Sequence, residues 1–188
     1  MKTVITFGEA MIRLSPPDFK RLEQTTCLDM NVGGAEFNVA CDLARLGVGA
    51  GWVSALPDNP LGCFIRNKAR EQGVDTSRVL FQENSRAGVY FVEFGASPRP
   101  STVLYDRAGS AVALTRPGEF DWDAILAGAG WFHTTGITPA LSPRLREETE
   151  LAVKTAKKKG LFVSYDLNYR ARLWTPAEAR STTERFLG

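Results

Sequence analysis

Apolar and polar positions in the first part of the chain follow two periods, and their order predicts alternating strands and helices. Residues 4–8 and 52–56 are short, mostly apolar runs typical of buried strands. Residues 35–46 and 61–72 place apolar side chains at helical spacing, and the two segments stop at Gly47 and Gly73, which are typical helix C-caps. Strand, helix, strand and helix in this order predict a parallel sheet with crossover helices.

The α/β pattern is interrupted by β-rich segments. Residues 88–94 and 102–105 read as a hairpin, and residues 10–15 read as a further extended piece that ends at Pro16 and Pro17. The two-residue period places Tyr90 on one hairpin face and Tyr105 with Arg107 on another. We therefore expect a small β-sheet lid, built near residues 11–32 and 88–107, with an aromatic and arginine-bearing face.

The α/β pattern then resumes. Residues 131–135 and 161–165 predict strands, and residues 142–159 predict a helix between them. A last helix is expected over residues 176–187, with Thr175 as its N-cap. The sequence contains no internal repeat, linker or low-complexity tract. A chain of 188 residues is long enough to bury a core and fits one α/β domain or a large part of one.

Composition and charge restrict the function classes. A net charge of +2 with scattered basic residues argues against a nucleic-acid partner, since the densest run, 157–159, falls at a helix end where cations cap carbonyl groups. No apolar stretch approaches the ~20 residues that cross a bilayer, so no membrane association is expected. Three cysteines without metal or redox spacing, and no export signal, predict a cytoplasmic protein with reduced thiols.

Polar residues that suit a small anionic ligand occur in four separate places. Residues 166–170 follow a predicted strand, which we take as a central one, and open α/β sheets bind ligands at such carboxyl ends. The planar forks of two arginines brought into one cleft favour a carboxylate or phosphate. We therefore predict recognition of a sugar acid by Gly33, Gly34, Asn38, Tyr90, Tyr105, Arg107 and Arg170.

Each place also has a purely structural interpretation. Asp166 and Arg170 alone fit an ion pair or a helix cap equally well, and the glycine pair fits a tight turn before a helix. Residues 105–107 fit an exposed edge strand, and the ring of Tyr90 fits a core position. His133 has no neighbouring cysteine, histidine or carboxylate in the sequence, so we interpret it as a packed or loop-bonding residue.

Several nucleotide-binding and catalytic motifs are missing from the sequence. There is no P-loop and no nucleophile elbow. Gly47, Gly49 and Gly51 follow a predicted helix and lack the third glycine of a dinucleotide fingerprint, which disfavours a nicotinamide dehydrogenase. No glycine-rich phosphate cradle with a poised carboxylate follows Arg170.

The combination of motifs resembles the ribokinase-like, PfkB-type family of ATP-dependent sugar kinases. The resemblance runs over all 188 residues and is carried by ITFGEAM at 5–11, GGAEFNVA at 33–40, LARLG at 43–47 and DNPLG at 58–62. YDRAGSA at 105–111 and DLNYRARLW at 166–174 are most similar to the members that act on 2-keto-3-deoxygluconate. Glu36 and Pro57 depart from residues common in the family. The resemblance implies an incomplete three-layer ribokinase-like α/β fold with a β lid, whose strands often pair between subunits in a homodimer.

The same resemblance implies the chemistry. The sugar acid would contact Gly34, Tyr90, Tyr105, Arg107 and Arg170, while Asn168, Tyr169 and Arg170 would border the phosphates of ATP with its Mg²⁺. The full-length protein would convert 2-keto-3-deoxygluconate to its 6-phosphate. In this family the catalytic Asp and the adenine pocket lie beyond position 188, so we expect no catalytic residue here and no activity from this portion alone. A kinase of neutral sugars such as fructose or ribose, and a non-catalytic sugar-acid sensor, stay as alternatives.

Overall fold

The computed structural model describes residues 2–188, which form nine strands, seven α-helices and two short 3-10 helices, Pro17–Phe19 and Leu22–Gln24. The strands are β1 Thr3–Phe7, β2 Met11–Ser15, β3 Asp29–Gly33, β4 Ala50–Pro57, β5 Val79–Gln82, β6 Val89–Glu93, β7 Thr102–Asp106, β8 Ala129–Thr135 and β9 Phe162–Asp166. The helices are α1 Ala35–Arg45, α2 Pro60–Glu71, α3 Ala111–Leu114, α4 Trp122–Ile125, α5 Ile137–Ala140, α6 Pro143–Lys158 and α7 Pro176–Leu187.

A parallel five-stranded sheet in the order β5-β4-β1-β8-β9 forms the middle layer. One face of this sheet packs in a cluster that includes Phe7 and Phe132 with Leu145 of α6. The other face packs in a second cluster, where Trp52 meets Phe37 of α1 and Ile65 of α2. Helices therefore cover both faces, as buried parallel strands require, and the predicted three-layer α/β architecture is confirmed.

A second sheet of four strands, in the order β3-β2-β6-β7, stands beside the first. The predicted hairpin is present as the antiparallel pair β6 and β7. The prediction of different faces for Tyr90 and Tyr105 was wrong, because the two residues are cross-strand partners on one face and their rings stack with centroids 5.8 Å apart. The two sheets are joined directly, because β1 leads through residues 8–10 into β2. Glu9 lies in this junction between β1 and β2.

The position of β9 corrects one prediction. We expected residues 166–170 to leave a central strand, but β9 is an edge strand of the five-stranded sheet within residues 2–188 and pairs only with β8. The apolar run was misleading because only one face of β9 packs, with Val163 and Tyr165 against the core, whereas Phe162 on the other face is 69% exposed. The carboxyl end of β9 still opens at the same edge of the sheet as the ends of β1 and β8, because the three strands are parallel.

The N-cap of α2 provides a direct test of the local folding signals. The Asn59 side chain accepts hydrogen bonds from the backbone N–H groups of Leu61 and Gly62, at 3.0 and 3.2 Å. We expect Asn59→Ala to lower the free energy of unfolding by about 1 kcal/mol, because two helix-terminal donors lose their acceptor. Chemical denaturation measures this. Asn67→Ala on the same helix is the control, since Asn67 is exposed and bonds only the neighbouring Arg66 side chain; equal losses in the two variants would contradict the capping role.

Candidate active site

A cavity of about 990 Å³ lies between the carboxyl ends of the parallel strands and the second sheet. Eight of the nine sugar-acid and nucleotide residues predicted from the sequence line it: Gly33, Gly34, Asn38, Tyr90, Tyr105, Arg107, Tyr169 and Arg170. The ninth, Asn168, does not line the cavity. The structure thus brings together residues from four separate chain segments, and what they bind stays a prediction.

The glycine pair is required by close packing. A Cβ on Gly34 would overlap the carbonyl oxygen of Glu9 and lie 3.0 Å from Cα of Ala10, and a Cβ on Gly33 would overlap the Tyr90 hydroxyl. Gly34 has φ −173°, an extended conformation open to any residue, so the demand for glycine here is steric. Gly34 is also the N-cap of α1 and offers no side-chain cap, which leaves first-turn amides of α1 at the cavity edge.

Arg107 is already engaged in an ion pair. Its Nη2 donates to Oε2 of Glu9, and the hydroxyl of Ser110 donates to Oε1 of the same carboxylate. Glu9 is 4% exposed, and its burial raises the pKa of the carboxyl, while the Arg107 charge opposes that rise. Sequence inspection missed Glu9, because a single acid after a strand carries no recognisable spacing.

The segment after β9 is fixed in a turn that presents arginines. The N–H of Gly136 donates to the carbonyl of Asp166 at 2.8 Å, and the Asp166 side chain accepts from the N–H of Asn168 at 3.0 Å. Asn168 adopts φ 36°, a left-handed conformation that Asn tolerates better than most residues. Asp166 therefore builds an Asx turn, and neither the ion pair with Arg170 nor the helix cap considered above is present.

Arg170 and Arg172 are the cationic side chains of the cavity with no carboxylate partner among residues 2–188. Both are exposed at the cavity wall. Because Arg107 is paired with Glu9 and Asp106 with Arg86, these two arginines are the cations of the cavity that stay free to meet an anion. Arg172 was missed in the sequence, although its spacing of two from Arg170 in an extended or turn segment was available as a signal.

A second buried acid, Glu36, connects three elements at the floor of the cavity by hydrogen bonds. Its Oε1 accepts from the N–H of Thr135 at 2.9 Å and from the hydroxyl of Thr138 at 2.7 Å, so α1 is bonded to the end of β8 and to α5. Glu36 is 1% exposed, and burial raises the pKa of its carboxyl. The departure from the family pattern noted in the sequence thus coincides with a hydrogen-bonded junction.

The raised pKa of Glu36 predicts a pH-dependent stability. A carboxyl whose pKa is higher in the folded state contributes stability that is complete below its unfolded pKa and is lost as pH rises through the folded pKa. The neutral isostere in Glu36→Gln keeps an oxygen for both donors and avoids that loss. We expect the melting temperature of Glu36→Gln minus that of the wild type to become more positive between pH 5 and pH 8.

Thermal melts at several pH values measure this difference. Glu147→Gln, which removes an exposed carboxylate from α6, is the control, and its difference from the wild type should stay nearly flat. A difference for Glu36→Gln that does not change with pH would contradict the assignment.

The remaining titratable groups do not form a further reactive cluster. Nδ1 of His133 lies 3.0 Å from the Ser164 hydroxyl on the neighbouring strand, and burial lowers the pKa of the ring. Burial also raises the pKa of the Cys41 thiol to about 11, which disfavours the reactive thiolate. Across residues 2–188 no three His, Cys, Asp or Glu side chains are grouped so as to hold a metal ion, and no helix is long and apolar enough to cross a membrane.

A parallel sheet covered by helices, with a ligand cavity under a separate small sheet, defines the ribokinase-like class of α/β enzymes. The family model described as pfkB family carbohydrate kinase matches residues 1–187, and the chain belongs to that family. Its members are kinases that use ATP. The fold class and the family predicted from the sequence are therefore confirmed.

The chain is similar to three proteins that are named as sugar kinases. The chain is 46% identical over 181 residues to a 2-dehydro-3-deoxygalactonokinase of Haloferax volcanii, covering 96% of this chain and 56% of that protein. It superposes on the crystal structure of 2-dehydro-3-deoxygluconokinase from Thermotoga maritima with a TM-score of 0.96 and 50% identity, covering 100% of this chain and 57% of that one. A fructokinase from Xylella fastidiosa with bound ATP gives a TM-score of 0.83 and 29% identity, with 99% and 58% covered. The chain thus spans about half the length of the relatives it matches.

Proposed function

We propose that the complete protein containing this chain transfers a phosphoryl group from ATP to a hydroxyl of a 2-keto-3-deoxy sugar acid. 2-Keto-3-deoxygluconate, also called 2-dehydro-3-deoxygluconate, is the favoured substrate and its 6-phosphate the product. One observation carries the proposal: the cavity holds two arginines, Arg170 and Arg172, that have no carboxylate partner among residues 2–188, beside Arg107, which is paired with Glu9.

Unpaired guanidinium groups in a cavity favour an acid over a neutral sugar. A carboxylate accepts two parallel charge-assisted hydrogen bonds from an arginine fork, whereas a neutral hexose gains little from a cation. The stacked rings of Tyr90 and Tyr105 supply an apolar wall against which a carbon skeleton packs. The names of the sugar-acid kinases reported above agree with this preference.

The residue roles follow as part of the proposal. Gly33, Gly34, Asn38, Tyr90, Tyr105, Arg107 and Arg170 would contact the sugar acid, and Asn168, Tyr169 and Arg170 would border the nucleotide. Residues 1–188 would be the N-terminal part of one ribokinase-like domain, with lid strands near 11–32 and 88–107. ATP would supply the phosphoryl group and Mg²⁺ would balance its charge, while the base that accepts the hydroxyl proton would come from outside this chain.

A coupled ADP-release assay tests the activity on two samples, the complete kinase and the 188-residue chain. The substrates are 2-keto-3-deoxygluconate, 2-keto-3-deoxygalactonate, fructose and ribose. We expect the complete kinase to prefer a sugar acid over fructose by about 100-fold in kcat/KM, and the 188-residue chain to release no ADP. A preference for fructose or ribose would establish the neutral-sugar alternative. Binding of the acids without turnover would establish the sensor.

The second sheet also carries the proposed homodimer contact. Register pairing aligns Met30, Leu14, Phe91 and Leu104 in one apolar row across the sheet, on the face opposite Tyr90 and Tyr105. The ends of the row are exposed, Met30 at 44% and Leu104 at 61%, whereas Val89 on the same face packs against the core. Analytical ultracentrifugation should show a dimer that Leu104→Glu converts to a monomer; a wild-type monomer would overturn the proposal. We also propose a cytoplasmic location for the complete protein, because ATP is supplied there.

A further inference from the structure

We propose that Glu9 is a positioning residue that holds the Arg107 guanidinium in the orientation required by the sugar acid, an inference that rests on the proposed function. Glu9 lies in the junction between β1 and β2, where the two sheets meet. Its partners come from elsewhere in the chain: Arg107 follows β7 of the second sheet, and Ser110 is the N-cap of α3. One carboxylate thus connects the core sheet, the lid sheet and a helix.

The burial of this pair needs an explanation beyond stability. The side chains of Glu9 and Arg107 are 3% and 14% exposed, so both charges are largely withdrawn from water. Buried ion pairs contribute little to stability compared with apolar residues of similar volume, because desolvation offsets their attraction. What a buried pair does provide is a fixed geometry, and here the fixed group lies in the wall of the ligand cavity.

The geometry leaves the Nη1 donor of Arg107 available. Glu9 takes Nη2, Nε is buried without a hydrogen-bond partner, and Nη1 makes no hydrogen bond within the described part of the chain. The Tyr105 ring lies 5.8 Å from Cζ and restricts the guanidinium from another side. An arginine held in this way loses less conformational entropy when a carboxylate binds, since its rotamer is already selected.

The charge balance gives the Glu9–Arg107 pair a different role from that of Arg170 and Arg172. Glu9 cancels most of the Arg107 charge, so attraction of an anion depends on Arg170 and Arg172. Releasing Arg107 from Glu9 would therefore disturb the orientation of the substrate more than its affinity. Orientation of the reacting hydroxyl affects kcat, whereas lost ground-state attraction affects KM.

The test is a double-mutant cycle in the complete kinase, with 2-keto-3-deoxygluconate and ATP as the substrates. In Glu9→Gln the amide oxygen can still accept from Arg107, but the negative charge that holds the guanidinium is lost, so we expect kcat to fall about 30-fold with KM changed by less than about threefold. Arg107→Ala should raise KM as well. If Glu9 acts only through Arg107, the double variant should match Arg107→Ala in kcat/KM within about twofold. Effects that simply multiply would overturn the proposal.

Two further variants keep the test decisive. Glu9→Asp retains the buried charge and shortens the side chain, so it should fold and still lower kcat by about fivefold; an unchanged kcat would overturn the proposal even if Glu9→Gln fails to fold. Glu93→Gln is the matched control, because it removes a glutamate partner of another arginine, Arg99, in the same sheet but away from the cavity. Its kcat should stay at the wild-type value, and a loss equal to that of Glu9→Gln would overturn the specific role.

The substrate class is tested separately from the positioning role of Glu9. If the wild-type kinase turns over only neutral sugars, the proposed function fails. The same cycle is then measured on the preferred sugar, where multiplicative effects overturn the role of Glu9 and a non-multiplicative result supports it.

Discussion

Replacement of Gly34 by alanine is expected to remove almost all activity of the complete kinase and to destabilise the fold. The added methyl group would overlap the carbonyl oxygen of Glu9 and crowd Cα of Ala10, two backbone atoms that cannot rotate away. Overpacking against backbone forces the start of α1 away from the sheet junction, at a cost of about 3 kcal/mol in the free energy of unfolding. Displacement of the helix terminus by about 1 Å also misplaces the cavity residues and should lower kcat/KM by about 100-fold.

Denaturation and ADP-release assays of the same variant measure the two effects. Gly49→Ala is the matched control, because its Cβ would lie 3.3 Å from the movable Thr3 hydroxyl and at an ordinary 3.9 Å from Thr3 Cα, and it lies outside the cavity. We expect this control to keep its activity. A Gly34→Ala enzyme with normal stability and turnover would show that the junction tolerates a side chain, and the steric basis of the glycine pair would be wrong.

The elements found from the sequence are those whose pattern extends over several turns or alternations. Residues 35–46 and 142–159 show the helical period over at least three turns, and the structure places helices there within one or two residues of the expected ends. The four-residue elements β5, α3, α4 and α5 were missed, because a segment of that length spans only about one helical turn or two strand alternations, too few for a period to be recognised.

For the candidate site, residue type and position were recognisable from the sequence, whereas contacts between distant residues were not. Arginines and tyrosines near strand ends were recognisable from residue type and position, and most of those named line the cavity. The pairing state of these residues was not recognisable. That Arg107 is neutralised by Glu9 depends on the contact between residues 98 positions apart, and that Arg170 has no such partner depends on the path of the loop after β9. Tertiary contacts between distant residues of this kind leave no local pattern in a single sequence.

The difference between these two arginines leads to the second large expected effect. Arg170→Ala should lower kcat/KM of the complete kinase for 2-keto-3-deoxygluconate on the order of 100-fold, equivalent to about 3 kcal/mol, because an unpaired cation that meets a carboxylate contributes its full charge-assisted hydrogen bonds. The loss should fall mainly in KM, in contrast to the kcat effect expected for Glu9→Gln. Fructose, if it is turned over at all, should lose less than the acid does, because it carries no carboxylate and only the loss from the proposed nucleotide contact of Arg170 remains.

Two controls separate the geometry of Arg170 from its charge. Arg170→Lys keeps the charge and loses the planar fork, so we expect a loss of about tenfold for the acid, between the wild type and the alanine variant. Arg144→Ala removes an equal charge from an exposed position of α6 outside the cavity, and its kinetics should be unchanged. If Arg170→Ala reduced turnover of the acid and of fructose by the same factor, Arg170 would act on the nucleotide rather than on the carboxylate. The selectivity for sugar acids would then have to come from Arg107 and Arg172.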